Sequence, residues 1–139
     1  MEDTFYFEIE GRPMPCPRPR ATRQGRVYLP SEYTKRKKEI AIKIQEAMGD
    51  RVRFKGPLSV SIFFLHPRIK ALQTKKAPRE RQFKSTRPDL DNLAKTILDA
   101  CTEAELWFDD SQVAQLVIVD MYAAKGEEAH TEVTLEALC

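Results

Sequence analysis

The sequence predicts an α/β (α+β) domain, a small mixed β-sheet of about four strands with two main helices packed on it. Three observations carry this. Strand-like apolar patterns occur at residues 4–10, 58–65, 112–122 and 131–138. Two segments, Ser31–Met48 and the stretch after Pro88, place apolar residues at helical spacing. Strands and helices also intermix along the chain rather than segregating into blocks. At 139 residues, 42% hydrophobic, the chain suits a single domain over 1–139 that buries a core without disulfide or metal staples. Nine prolines against five glycines point to extended, irregular connections.

The elements follow in order. In Thr4–Glu10, Phe5, Phe7 and Ile9 alternate with Tyr6, Glu8 and Glu10, the pattern of a half-buried strand. Residues 11–30 form a proline-rich arm whose Pro13, Pro15, Pro17 and Pro19 lack backbone donors and favour an extended path. Ser31 is the expected cap of a helix to about Met48, with Tyr33, Ile40, Ala41, Ile44, Ala47 and Met48 inward and Gly49 as its stop. Residues 58–65, LSVSIFFL, read as a strand bounded by Pro57 and Pro67. The basic stretch that follows, 66–88, exceeds the length of about 15 residues beyond which structureless loops are uncommon, and is expected to order on a ligand.

Pro88 disfavours helix at Arg87, so Asp89 and Asp91 are expected on an extended entry, pointing the same way, with Asp91 or Asn92 as the cap. Leu93, Ala94, Ile97, Leu98, Cys101 and Ala104 then make an inner stripe, with Lys95, Thr96, Asp99 and Glu103 outside. Trp107 and Phe108 are expected to pack the following turn. Residues 112–122 are apolar on both faces, as a central strand would be, and 131–138 alternates again, closing the chain as a hairpin.

Charge is divided along the chain. Residues 1–88 carry 21 Lys and Arg against 9 acids, and residues 89–139 carry 2 against 12, within an overall +2. Two basic loops, 11–30 and 66–88, suit a phosphate backbone, and Lys35, Lys37 and Lys38 sit in early helix turns where the macrodipole disfavours cations. The candidate nucleic-acid-binding set is therefore Arg18, Arg20, Arg23, Arg26, Lys35, Lys37, Lys38, Lys75, Lys76, Arg79, Arg81, Lys84 and Arg87. No apolar run approaches the roughly 20 residues of a membrane span. The acidic N-terminus is unlike a secretory signal, so the expected compartment is the cytoplasm. Cys16, Cys101 and Cys139, with no CxxC pair and only His66 and His130 beside them, offer neither a disulfide framework nor a zinc cluster.

The acids carry the chemistry. Asp89, Asp91 and Asp110 meet the needs of magnesium, which takes oxygen ligands, keeps waters and requires only one or two carboxylates beside substrate phosphate. Two ions roughly 3.5 to 4 Å apart activate water on one side of a phosphodiester and stabilise the leaving oxygen on the other. Lys95 stands four residues after Asp91, either to hold a phosphate or to pair with Asp91 or Asp99. Asp109 is either a further ligand or a turn residue. An EF-hand fails, because its sixth and twelfth positions would be Ala94 and Ala100.

With RPDLDNLAK, then LDA, then WFDDSQV, the chain resembles the RusA family of Holliday-junction resolvases. That family's motif is a proline followed by DxDN, a lysine, a short helix and a DD turn leading into a strand, and the arm RPRATRQGRVYLP is similar to its N-terminal segment. The resemblance implies a homodimeric, Mg2+-dependent endodeoxyribonuclease, with Mn2+ able to substitute, that resolves four-way DNA junctions by paired symmetric nicks in recombination and repair. It implies a bacterial cell as the setting, with the gene cellular or carried by a phage. Asp89, Asp91 and Asp110 match the metal-site acids, Lys95 the essential lysine and Asp109 the first aspartate of the DD pair. Glu105 departs from the pattern, standing where the family usually has a small residue, often glycine. Two other readings are a branched-DNA-binding module without catalysis, and a small-molecule phosphotransferase, against which the lack of a Gly-rich phosphate loop counts.

Overall fold

The computed structural model describes residues 3–138, so Met1, Glu2 and the Cys139 thiol lie outside the described residues. In chain order the strands and helices are β1 (Thr4–Glu10), β2 (Arg20–Ala21), β3 (Val27–Tyr28), α1 (Ser31–Met48), β4 (Leu58–His66), β5 (Gln82–Phe83), α2 (Leu90–Glu103), β6 (Val113–Tyr122) and β7 (His130–Ala137). The alternation in β1 holds as expected, with Phe7 and Ile9 buried and Glu8 and Glu10 exposed. The arm is not extended throughout. It ends in the β2–β3 ribbon, closed by the Thr22 N–H to Arg26 carbonyl bond of 2.8 Å around Gly25 at φ +82°.

Five strands form one sheet in the order β1-β7-β4-β6-β5. β7 runs antiparallel to both β1 and β4, β4 runs parallel to β6, and β5 pairs antiparallel with the end of β6. The parallel pair is joined by a crossover through α2, as a parallel connection requires. The expected closing hairpin does not form, because β4 lies between β6 and β7. Alternation along each strand specifies which face is buried, not which strand lies alongside, so the sequence pattern fitted either arrangement.

Both helices pack against each other, with α1 against β1 and α2 against β6. Leu58, Val60, Ile62 and Phe64 of β4 are at most 1% exposed and form the floor of the core with Val133 and Leu135. Each such side chain contributes about 1.5–3 kcal/mol by leaving water. Because α2 meets both sheet and α1, it buries two sides, and Thr96, expected outward, is 1% exposed. Ala47 of α1, expected inward, is exposed. Trp107 packs the turn after α2, its Nε1–H donating to Thr102 Oγ1 at 2.8 Å, whereas Phe108 stays exposed under the Arg53 guanidinium.

β6 is not a central strand along its whole length. β5 covers only Met121 and Tyr122, and Leu116 and Val117 are 39% and 46% exposed. The 66–88 segment has internal order of its own. Arg68 reaches inward to the carbonyls of Leu72 at 3.0 Å, Ala123 at 3.0 Å and Pro78, and a 3-10 turn spans Lys70–Leu72. Among the described residues no helix is long and apolar enough to cross a membrane.

Candidate active site

The entrance to α2 places the first acids. Asp89, extended at φ −65° and ψ 140°, occupies the cap position itself, and Asp91 already lies in the first helical turn. The expected cap at Asp91 or Asn92 is therefore displaced by two or three residues, and Asp89 and Asp91 do not share a strand face. Asp91, Lys95 and Asp99 instead follow at intervals of four along one side of the helix. Asp110 comes from the other end of the motif, as the first residue of a 3-10 turn, Asp110–Gln112, that leads into β6.

Asp91, Lys95, Asp99 and Asp110 line one cleft of about 300 Å³ between α2 and β6, floored by Leu98, Leu116 and Ile118. Asp89 is exposed at the helix cap, outside that lining. The carboxylates of Asp89, Asp91 and Asp110 do not close to a common spacing of 4.8 Å. Among the described residues the only metal-ligating trio that does is Glu8, His130 and Glu132 on β1 and β7. Its members already have partners, since Glu132 meets Arg81 at 2.8 Å and His130 at 2.9 Å, and Glu8 accepts from the Tyr6 hydroxyl at 2.6 Å.

Lys95 pairs with neither neighbour. Although Asp91 and Asp99 stand four residues to either side, no ion pair within 4.0 Å joins it to any acid among the described residues. Asp89, Asp91 and Asp110 are likewise exposed and without ion-pair partners there. Exposed oxygen donors open to water fit a hard divalent cation that retains part of its hydration shell.

The turn that delivers Asp110 is built by residues the sequence only hinted at. Asp109 accepts from Ser111 Oγ, which holds its carboxyl below the usual carboxylate range and makes it a turn-former. Gln112 Oε1 accepts from the N–H groups of Phe108 at 2.7 Å and Asp109 at 3.0 Å. Its Nε2 donates to the carbonyls of Phe54 and Gly56, each at 3.0 Å, so one amide ties the turn to the segment before β4. The D-x-x-Q spacing of DDSQ, that of a capping box, was the available signal.

At the end of α2, Glu105 adopts φ +60°. The Glu105 N–H bonds the Thr102 carbonyl and the Leu106 N–H the Cys101 carbonyl, both at 3.1 Å, the paired bonds of a Schellman ending. The departure at Glu105 thus falls on a left-handed position where glycine is favoured, and the turn forms nonetheless.

The basic residues divide into two groups. Arg18, Arg20, Arg23, Arg26, Lys35, Lys38, Lys75, Lys76, Arg79 and Arg87 are exposed, and Lys37 lies half-buried over the Tyr33 ring. Arg81 and Lys84 are not free for phosphate. Arg81 is held by Glu127 and Glu132, which push its guanidinium pKa upward. The Lys84 side chain is 6% exposed, with Nζ 3.8 Å from Asp120 Oδ2 and donating to the carbonyls of Thr86 at 2.7 Å and Arg87 at 2.8 Å. Asp120 in turn meets His66 Nε2 at 2.5 Å, both buried.

The model for the family Endodeoxyribonuclease RusA matches residues 10–136, nearly the whole chain. This chain belongs to the RusA family. Among the family's curated relatives, the crossover junction endodeoxyribonuclease RusA of Escherichia coli (strain K12) is 44% identical over 48 residues, covering 34% of this chain and 40% of that protein. The enzyme of the same name from Enterobacteria phage 82 matches to the same extent. An uncharacterized protein, YqaN of Bacillus subtilis (strain 168), is 28% identical over 141 residues and covers 96% of both chains.

Proposed function

We propose that this RusA-family chain is a homodimeric, Mg2+-dependent endodeoxyribonuclease that resolves four-way DNA junctions by paired nicks, with Mn2+ able to substitute. The observation that carries the reading is the cleft where Asp91, Lys95 and Asp110 meet from opposite ends of one motif, exposed and without ion-pair partners among the described residues.

Asp91 and Asp110 would hold the metal, with Asp89 at the helix cap as the further candidate ligand. When bound, magnesium supplies a hydrated charge that makes water a better nucleophile and stabilises the leaving oxygen. Lys95 contacts the phosphate and balances charge developing on it. Arg18, Arg20, Arg23, Arg26, Lys75, Lys76, Arg79 and Arg87 hold the duplex arms through their phosphates, reading shape before sequence. A second copy related by a two-fold axis presents two such clefts to a junction of matching pseudo-symmetry.

The test is junction cleavage with magnesium. Asp110→Asn is expected to abolish nicking while retaining junction affinity. Cleavage that persists in this variant removes Asp110 from the site, and a wild type that binds junctions without cutting any leaves the binding-module reading.

A further inference from the structure

We infer that the cleft between the proline-rich arm and α2 is a nucleobase pocket, receiving an unstacked base of the strand whose phosphate lies at Lys95. The inference rests on the reading of the Asp91, Lys95 and Asp110 cleft as the place of cleavage. This second cleft measures about 830 Å³, within the range of roughly 300–1,000 Å³ that small-molecule sites occupy. Lys95 and Asp99 line both clefts, so a strand with a phosphate in one has its neighbouring nucleotide at the mouth of the other.

The pocket is anchored at one end. On one side the Cys16 N–H donates to the Asn92 carbonyl at 3.0 Å, tying the arm to the first turns of α2. Beyond that bond the ribbon is closed on itself by the Thr22 to Arg26 and Gly25 to Thr22 backbone bonds. One backbone bond thus anchors the arm to the helix, and the ribbon beyond it is held by its own bonds.

Its chemistry is divided as a base requires. Pro17, Pro19 and Tyr28 give an apolar wall, with Tyr28, a residue 45% exposed at the ribbon, offering a flat π-surface for stacking. Facing it, Asn92 offers both a donor and an acceptor and Asp99 offers acceptors, the groups that read the edge of a base. Arg18 stands at the arm side and Lys95 at the helix side, placing a cation for the phosphate on either side of the inserted nucleotide.

The experiment moves 2-aminopurine through the positions flanking the exchange point of a four-way junction, with Ca2+ replacing Mg2+ to hold off cleavage. At saturating wild-type protein, one position is expected to brighten severalfold as its base leaves the stack. Tyr28→Ala returns that signal to the level of the free junction while Tyr28→Phe retains it, and affinity falls by roughly 5- to 150-fold, the worth of one base–aromatic stack, so saturation is still reached because phosphate contacts carry the rest. Equal brightening in wild type and Tyr28→Ala overturns the pocket, as does a bound junction that brightens nowhere. A junction that is bound and brightened but never cut with Mg2+ supports the pocket and defeats the cleavage reading. A junction that is not bound at all defeats both.

Discussion

Glu105 Oε1 lies 2.9 Å from the Arg53 guanidinium, and Glu105 holds this contact from a left-handed backbone at φ +60°. The conformation is set by the Schellman bonds, not by the ion pair, whose side chains are 36% and 64% exposed. A left-handed non-glycine residue costs roughly 1–2 kcal/mol, and an exposed ion pair contributes only about 0.2–1 kcal/mol. Glu105→Gly is therefore expected to raise stability by about 0.5–1 kcal/mol in urea unfolding. Glu105→Ala keeps the strain and loses the pair, so it should be the least stable of the three. A glycine variant weaker than the alanine variant rules out backbone strain as the governing term.

Gln112 is the expected weak point of the site that carries no charge. Its amide makes four hydrogen bonds, to the N–H groups of Phe108 and Asp109 and the carbonyls of Phe54 and Gly56. At about 0.5–1.5 kcal/mol each, discounted for partial exposure, Gln112→Ala should cost roughly 2 kcal/mol. Cleavage should fall further than stability explains, because Asp110 is two residues away on the same turn. Measuring nicking under conditions where the variant is fully folded separates the two effects. Wild-type nicking there would leave Gln112 with a structural role alone.

What the sequence conveyed was local. The alternation of Phe5, Phe7 and Ile9 against Tyr6, Glu8 and Glu10 and the end of α1 at Met48 before Gly49 follow from periods of two and 3.6 and appear in the fold as read. Ser31, expected as the cap, is instead the first helical residue, and Pro30, which has no side-chain donor or acceptor, holds the cap position. The placement of β7 between β1 and β4 depends on contacts distant in sequence, which no local period encodes. The same limit applies to the site. Asp91, Lys95 and Asp110 stood out as a motif, but Lys84 and Arg81 look in sequence just like Lys75 and Lys76. Only the fold brings Asp120 to the first and Glu127 and Glu132 to the second.

The two histidines are expected to titrate on opposite sides of the ordinary imidazole value. Burial lowers the His66 pKa below 6.5 despite the Asp120 carboxylate beside it. For His130 burial works against the charge but is outweighed by bonds to the Glu128 carbonyl and the Glu132 carboxylate, so its pKa is raised above 6.5. The signs then differ. Unfolding lets His66 take up a proton more readily, so its share of stability is lost as pH falls below 6.5. The share from His130 is present below 6.5 and lost as pH rises through its higher folded value. Proton NMR of the two imidazoles, assigned with His130→Gln, checks this, and the reverse order of midpoints would falsify the electrostatic account of both sites.

Lys84 separates an internal cation from a phosphate-binding one. Its ammonium satisfies the Thr86 and Arg87 carbonyls and faces Asp120, just before the chain turns into Asp89. Lys84→Met leaves a buried carboxylate with one partner fewer and two carbonyls unmatched, a loss of about 3 kcal/mol by the scale of broken buried pairs. Junction affinity of the folded variant should keep the wild-type dependence on salt, since no phosphate contact is lost. Lys76→Ala, on the exposed loop, should do the opposite, leaving stability unchanged while reducing the slope of log affinity against log salt by about 0.9. Urea unfolding and a salt series on the two variants give four measurements. If Lys84→Met unfolds at the wild-type midpoint and flattens the salt slope, then Lys84 faces DNA and the entrance to α2 is held by something else.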